Sequence, residues 1–87
     1  MYSIEFSITA QKQIYKLNKD IQKRIILALE RIRITPYPHV KKLVGNPYFR
    51  FRVGDYRVIL DIKESRLIIF VIEVGHRSSL YKSNNIR

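Results

Sequence analysis

The chain has 87 residues, a formal net charge of +10 at neutral pH and no cysteine. This length predicts one domain over residues 1–87 with a single modest core, while the lack of cysteine excludes disulfide scaffolds, thiol nucleophiles and cysteine-based zinc sites. Two histidines are too few for a histidine-rich metal site, so no metal or cofactor is expected, and the charge favours nucleic acid or an acidic protein over a membrane surface as the partner.

The N-terminal segment alternates apolar and polar residues. Tyr2, Ile4 and Phe6 are separated by Ser3 and Glu5, a pattern typical of a half-buried strand. This opening lacks the basic segment, apolar stretch and cleavage site of a signal peptide. We therefore expect a cytoplasmic protein.

Two amphipathic helices are predicted next. Thr9 is the expected N-cap of a short first helix, and Asp20 is the expected N-cap of a longer second helix. The second helix is expected to end near Thr35, because Pro36 and Pro38 cannot continue it. The apolar residues recur at helical spacing and are Ala10, Ile14 and Leu17 in the first helix and Ile21, Ile25, Leu29 and Ile32 in the second.

An arginine-bearing β-hairpin is predicted after an irregular connection at residues 37–47. Residues alternate strictly between apolar and polar on both sides of Gly54 and Asp55, which predicts a two-residue turn. That turn places Arg52 opposite Arg57 and beside Arg50 on one face of the hairpin. The core side is expected to carry Phe49, Phe51, Val53, Val58 and Leu60.

This arrangement of arginines predicts an anion that the chain does not supply. Like charges that face each other across a strand pair destabilise it, and no acidic residue occurs between Arg31 and Gly54. Phosphate is the natural candidate for the anion. The alternative is a solvated sheet face that Asp61 or Glu73 partly neutralises.

Residues 67–74 are almost wholly apolar and rich in β-branched side chains, which predicts a central strand covered on both faces. The run is far shorter than the roughly 20 residues of a membrane span. A short final turn or helix is expected at residues 78–82. The elements together predict an α+β fold in the order β-α-α-β-β-β, with two helices on one face of a four-stranded, mostly antiparallel sheet and the arginines on the other face.

Further candidates lie beyond the last strand and before the hairpin. His76 can act as a general acid or base, Arg77 can contact phosphate, and Tyr81 can act on a hydroxyl proton or stack on a base. The alternatives are an ordinary surface histidine and a tyrosine packed on the core. Tyr48 interleaves with basic residues, as stacking on single-stranded nucleic acid requires.

Several segments resemble, in their order and spacing, the RelE toxins of toxin–antitoxin systems. They are residues 42–45, 48–52, 56–58 and 71–77, followed by Tyr81. The resemblance covers residues 2–81 and implies a RelE-like fold. It also implies a metal-independent endoribonuclease that enters the ribosomal A site, cleaves the messenger RNA there and inhibits translation. In that chemistry the ribose 2′-hydroxyl attacks the adjacent phosphate, so the developing charge must be offset.

The resemblance implies roles for individual residues. Arg57 and Arg77 would stabilise the scissile phosphate, and Tyr81 would orient or deprotonate the 2′-hydroxyl. Arg50 would contact the RNA from the strand, and His76 takes a position that is often lysine in relatives. These five are the catalytic candidates. The candidates for RNA binding are Arg52, Lys41, Lys42 and Tyr48.

A toxin implies an antitoxin as its partner. We expect a RelB-type antitoxin that is acidic and partly disordered, folds around the basic surface and displaces the C-terminal element, giving a hetero-oligomer. The second expected partner is the ribosome with its bound messenger RNA.

Two other functions stay open. The ParE branch of the same superfamily shares the fold but inhibits DNA gyrase without being a nuclease, and the presence of Arg57, Arg77 and Tyr81 argues against it. A basic nucleic-acid-binding module without catalysis would bind independently of ribosomes, with a steep dependence on salt and no cleavage.

Overall fold

Two helices pack on one face of a five-stranded sheet in the computed structural model, which describes residues 1–76. The sheet has the order β1-β5-β4-β3-β2, in which β1 is parallel to β5 and the other neighbours are antiparallel. The elements are β1 (Ser3–Phe6), α1 (Ile8–Tyr15), α2 (Lys19–Arg31), β2 (Lys41–Lys42), β3 (Phe49–Val53), β4 (Tyr56–Lys63) and β5 (Ile68–His76). The predicted α+β class is confirmed.

The predicted strand count is wrong, because β2 forms inside the segment expected to be irregular. Lys41 pairs with Arg50 and Lys42 with Phe49, and a 3-10 turn at Tyr37–His39 precedes the pair. Two residues are too few to show an alternating pattern, so nothing local in the sequence marks this strand. It becomes visible only as the edge partner of β3.

The N-caps of both helices lie two residues before the predicted ones. Ser7 caps α1 by accepting a hydrogen bond from the Ala10 amide at 2.9 Å, and Asn18 caps α2 by accepting one from the Ile21 amide at 3.0 Å. Thr9 lies within α1, and Asp20 lies in the first turn of α2.

The second helix ends at Arg31, before the predicted Thr35. The backbone of Arg33 pairs instead with the start of β1, where the Tyr2 amide donates to the Arg33 carbonyl at 2.8 Å. The Arg33 Nε donates back to the Tyr2 carbonyl at 2.7 Å. These bonds draw the chain out of the helix and toward the sheet edge before the prolines are reached.

The core lies between the helices and one face of the sheet. Fully buried side chains from three elements meet there: Ile25 and Leu29 of α2, Val58 and Leu60 of β4, and Ile69, Val71 and Val74 of β5. The strand β5 is central, as predicted, but only one of its faces is fully buried. Ile68 and Phe70 point to the other face and are half-buried.

The start of β5 also differs from the prediction by one residue. Leu67 is not part of the strand, because its φ of 55° places it in the left-handed region at the end of a 3-10 turn. The predicted turn or helix at residues 78–82 lies outside the described residues. Among the described helices, none is long and apolar enough to cross a membrane.

Candidate nucleic-acid interface

The hairpin of β3 and β4 has the predicted register. Arg52 is opposite Arg57, Phe51 is opposite Val58, and Val53 is opposite Tyr56. Successive side chains of a strand point to opposite faces, so the buried Phe51, Val53 and Val58 face the helices. The arginines therefore project from the face that the helices leave open, with Arg57 half-buried and Arg52 exposed.

The three arginines line a cleft of about 330 Å³. Lys41 adds a fourth cation, because it pairs with Arg50 across the edge of the sheet. None of the described residues that line the cleft is acidic; the lining consists of Pro38, His39, Val40, Lys41, Arg50, Arg52 and Arg57. The cleft therefore presents several hydrogen-bond donors with positive charge and suits a phosphate group.

Asp61 and Glu73, the two carboxylates that could partly neutralise this face, form no ion pair with Arg50 or Arg52 among the described residues. Asp61 forms an ion pair with Lys63 at 3.0 Å. Within residues 1–76, Arg50 and Arg52 form no ion pair with a carboxylate, and Arg52 donates a hydrogen bond from Nε to the Gly54 carbonyl at 3.3 Å. The positive charge of these two side chains is left for an external group.

Helix α1 positions the end of β5 beside the arginines. A bulge interrupts the pairing of β4 with β5, since Ile59 pairs with Glu73 while Leu60 pairs with Val71. Two side chains next to this bulge bind the β5 backbone: the Ser7 hydroxyl donates to the Ile72 carbonyl at 2.7 Å, and the Gln13 side-chain oxygen accepts from the Val74 amide at 2.6 Å.

The strand resumes its pairing after the bulge, so that Gly75 lies opposite Arg57. A glycine at this register position presents no side chain next to the arginine. The bonds from α1 thus define the backbone that borders the cleft on the side of β5.

Some predicted site residues lie elsewhere. His76 pairs with Tyr56, and their rings meet edge to face with centroids 5.4 Å apart, on the face opposite Arg57. The Lys42 Nζ lies 5.6 Å from the centre of the Phe49 ring, on the helix side of the sheet. Tyr48 precedes β3 and does not line the cleft. Arg77 and Tyr81 lie outside the described residues.

The structure adds one residue that the sequence reasoning did not select, His39. Val40 between His39 and Lys41 is extended and packs against the core. The two flanking side chains therefore point to the opposite face, into the cleft. An apolar residue between two polar ones was the available signal, but three residues are too short for that pattern to predict a strand.

The surroundings of Tyr37 shift its pKa. Its hydroxyl donates to Glu64 at 3.3 Å, and its ring meets Phe49 edge to face at 5.7 Å. Burial, and then the charge of Glu64, raise the pKa of Tyr37 above its usual value. The phenol therefore stays protonated at neutral pH and supports the fold on the helix side of the sheet.

A second basic concavity adjoins the cleft. It is a groove of about 720 Å³ between α2 and β3, with an apolar floor that includes Leu27 and Val53. Its charged lining residues are Asp20, Lys23, Arg24, Arg31 and Arg52. His39 and Arg52 line both the groove and the cleft, so the two form one continuous positive surface.

The described residues bring no three His, Cys, Asp or Glu side chains together in an arrangement that could hold a metal ion. The chemistry visible in the described part of the site comes from arginine, lysine and histidine.

Comparisons with known proteins agree on one group of toxins. The family model described as the ParE toxin of a type II toxin–antitoxin system, parDE, matches residues 4–81. The mRNA interferase toxin RelE of Escherichia coli K12 is 27% identical in an alignment of length 79 that covers 87% of this chain and 83% of the relative. The mRNA interferase RelE of Shigella flexneri gives the same values.

Solved structures show the same similarity. The RelBE2 toxin–antitoxin complex of Mycobacterium tuberculosis contains a chain with a TM-score of 0.80 and 25% identity, over 87% of this chain and 98% of that one. The isolated E. coli RelE toxin has a TM-score of 0.78 and 25% identity, over 100% and 98%. A RelB–RelE complex of Methanococcus jannaschii gives 0.71 and 28%, over 91% and 96%.

Proposed function

Because the chain belongs to the ParE toxin family, within the RelE/ParE superfamily of type II toxins, we propose that it is a RelE-type mRNA interferase that cleaves messenger RNA on the ribosome. The observation that carries the proposal is the cleft lined by Arg50, Arg52, Arg57 and Lys41 without an acidic residue among its described lining. The similarity to two RelE proteins named as mRNA interferases supports it.

The proposed reaction needs no metal ion. The 2′-oxygen of the ribose forms a bond to the adjacent phosphorus, the bond from phosphorus to the 5′-oxygen breaks, and a cyclic phosphate and a free 5′-hydroxyl result. Arg57 and Arg52 donate hydrogen bonds to the non-bridging oxygens and offset the charge that develops there. Arg77 and Tyr81 keep the roles that the resemblance implies, as further phosphate contact and as partner of the 2′-hydroxyl.

The proposal includes an antitoxin and a place of action. Solved relatives are complexes of RelE with RelB, and an acidic antitoxin would be attracted by the net charge of +10 and by the basic lining of the groove between α2 and β3. The toxin would act in the cytoplasm, where ribosomes translate. Co-expression with a cognate antitoxin is expected to give a stable complex and to relieve growth arrest.

Primer extension on a defined message in a purified translation system tests the nuclease. Wild type is expected to cut within the A-site codon only when ribosomes are present. Arg57→Ala and Arg52→Ala are each expected to lower the cleavage rate about 100-fold, the usual cost of removing one donor that stabilises developing charge.

Arg66→Ala is the matched control, because Arg66 lies in the turn after β4, at the opposite end of this strand from the Gly54 turn and about 25 Å away at the rise of a β-strand. It should cut like wild type.

The second candidate function is that of the ParE branch, inhibition of DNA gyrase, and it stays open because the matching family model is described as a ParE toxin. An intact message in the presence of ribosomes, together with loss of supercoiling by purified gyrase, would establish that function. An intact message without any effect on gyrase would leave the binding of nucleic acid as the role of the arginine cleft.

A further inference from the structure

Among the described residues that line the arginine cleft, His39 is the side chain that can accept a proton. Arg50, Arg52, Arg57 and Lys41 are donors without an accepting atom when charged, and none of the described lining residues is acidic. Attack by a 2′-hydroxyl requires that its proton be taken up. We propose that His39 is the general base of the cleavage reaction, an inference that rests on the proposed nuclease function.

The backbone holds His39 in this position from both sides. It ends the 3-10 turn Tyr37–His39, which follows Pro36 and contains Pro38, and its amide donates to the Pro36 carbonyl at 3.0 Å. Proline fixes its own φ and restricts the backbone conformations that the residue before it can adopt. On the other side, Val40 packs on the core and leads directly into β2. These contacts hold the backbone of His39 at the edge of the cleft.

The alternative histidine lies on the wrong face for this role. The ring of His76 packs against Tyr56, whose side chain shares the helix side of the sheet with Val58. Arg57, which lies between Tyr56 and Val58 in β4, projects to the other face. A proton acceptor for a phosphate bound at Arg57 has to come from the cleft side, which is where His39 lies.

Proton transfer to His39 accompanies the attack of the 2′-oxygen on phosphorus. Neutral His39 accepts the proton of the 2′-hydroxyl as the bond between the 2′-oxygen and phosphorus forms, and the imidazolium that results lies beside an increasingly negative phosphate. The bond from phosphorus to the 5′-oxygen then breaks, and that oxygen takes a proton from solvent or from a donor of the cleft. Neither an oxidant nor a metal is required.

Within residues 1–76, charged side chains flank His39 on two sides. On the cleft side they are Lys41 of β2, Arg50 and Arg52 of β3, and Arg57 of β4. On the groove side, the charged lining comes from Asp20, Lys23, Arg24 and Arg31 of α2. The base must be neutral to act, so cleavage is expected to slow as the pH falls.

Single-turnover cleavage by wild type, His39→Gln and His39→Ala on stalled ribosomes tests the inference. Glutamine keeps a polar side chain of similar length but cannot take up the proton. At slightly alkaline pH, His39→Gln is expected to lose a factor of about 100 or more, within the range for general acid–base catalysis. The half-saturating toxin concentration is expected to stay the same, because the cations that bind phosphate are unchanged.

Two readouts separate catalysis from support of the fold. The decline in rate toward acidic pH should be present in wild type and absent in His39→Gln. Added imidazole should restore part of the activity of His39→Ala, since His39 is exposed and small molecules can reach its position. Thermal unfolding midpoints of the three proteins verify that each is folded.

The outcomes separate this inference from the function on which it rests. If wild type cleaves and His39→Gln cleaves equally fast, the inference is overturned and the nuclease function stands. A slow variant that keeps the acidic decline and is not rescued by imidazole would assign His39 a structural role and would also overturn it. If wild type cleaves nothing on ribosomes, the proposed function fails, and the inference fails with it.

Discussion

Gly54 sets the register that brings the arginines together. Its φ is +58°, in the left-handed region, and the other residues of the described chain with positive φ are Gly45 and Leu67. A Cβ at Gly54 would lie 3.6 Å from the Arg24 Nη1, an ordinary contact, so any cost arises from the backbone. Gly54→Ala is expected to lower the free energy of unfolding by about 1–2 kcal/mol, as measured by urea denaturation.

Asp55→Ala is the matched control in the same turn, because Asp55 does not have a positive φ. Its effect should stay within about 0.5 kcal/mol, as for most exposed positions. Equal losses in the two variants would show that the backbone conformation of Gly54 is not what determines the stability of this turn.

At the scale of elements, a side chain of α1 stabilises the backbone of β5 by a hydrogen bond that the sequence does not predict. The Val74 amide is bonded to the Gln13 side chain, and Val74 is only 2% exposed. Gln13→Ala leaves this buried amide without its partner and is expected to cost about 1–3 kcal/mol in the free energy of unfolding. Urea denaturation measures the loss, and cleavage should decrease too, because β5 borders Arg57 at Gly75.

Gln11→Ala is the comparison on the same helix. Its side chain donates to the Phe6 carbonyl at 3.1 Å in an exposed position, where water can replace the bond, so a loss of about 0.5 kcal/mol is expected. If Gln11→Ala were the more destabilising variant, the hydrogen bond to β5 would not be the reason that Gln13 matters.

The sequence predicts those elements whose information is local. The β3–β4 hairpin follows from strict alternation around one glycine, and its register is confirmed residue by residue. The cap of α1 does not follow in this way, because Ser7 and Thr9 both offer a hydroxyl. The hydrogen bond from Ser7 to Ile72, 65 residues away in the chain, distinguishes Ser7 from Thr9 as the N-cap. The edge strand β2 likewise depends on a partner outside its own sequence.

The residues of the candidate site also differ in whether local sequence or tertiary packing brings them together. Arg50, Arg52 and Arg57 were found from the sequence because the hairpin alone brings them to one face. His39 was not, because it joins them only through the packing of Val40. From the sequence, His76 is the candidate histidine because it follows the apolar run of the last strand; its pairing with Tyr56 places it on the other face. Local alternation predicts which residues share a strand face, whereas tertiary packing decides which strands share a cleft.

At the scale of the whole molecule, the net charge of +10 raises the question of whether binding is diffuse or local. A protein that neutralises phosphates of a single strand loses affinity with salt at a slope of about 0.7 per phosphate on logarithmic axes. If the cleft makes the contacts, Arg52→Ala is expected to reduce that slope by about 0.7. Fluorescence anisotropy with a single-stranded RNA across a salt series measures it.

Lys63→Ala removes the same formal charge at a position where it is already compensated. The Lys63 ammonium lies 3.0 Å from the Asp61 carboxylate, which already compensates its charge. Lys63 should therefore release few counterions from the RNA, and the slope of the Lys63→Ala variant should match that of wild type. An equal decrease in both variants would mean that RNA responds to the total charge of the chain. A decrease confined to Arg52→Ala would mean that the phosphates lie at the arginines, where the hairpin register concentrates the charge.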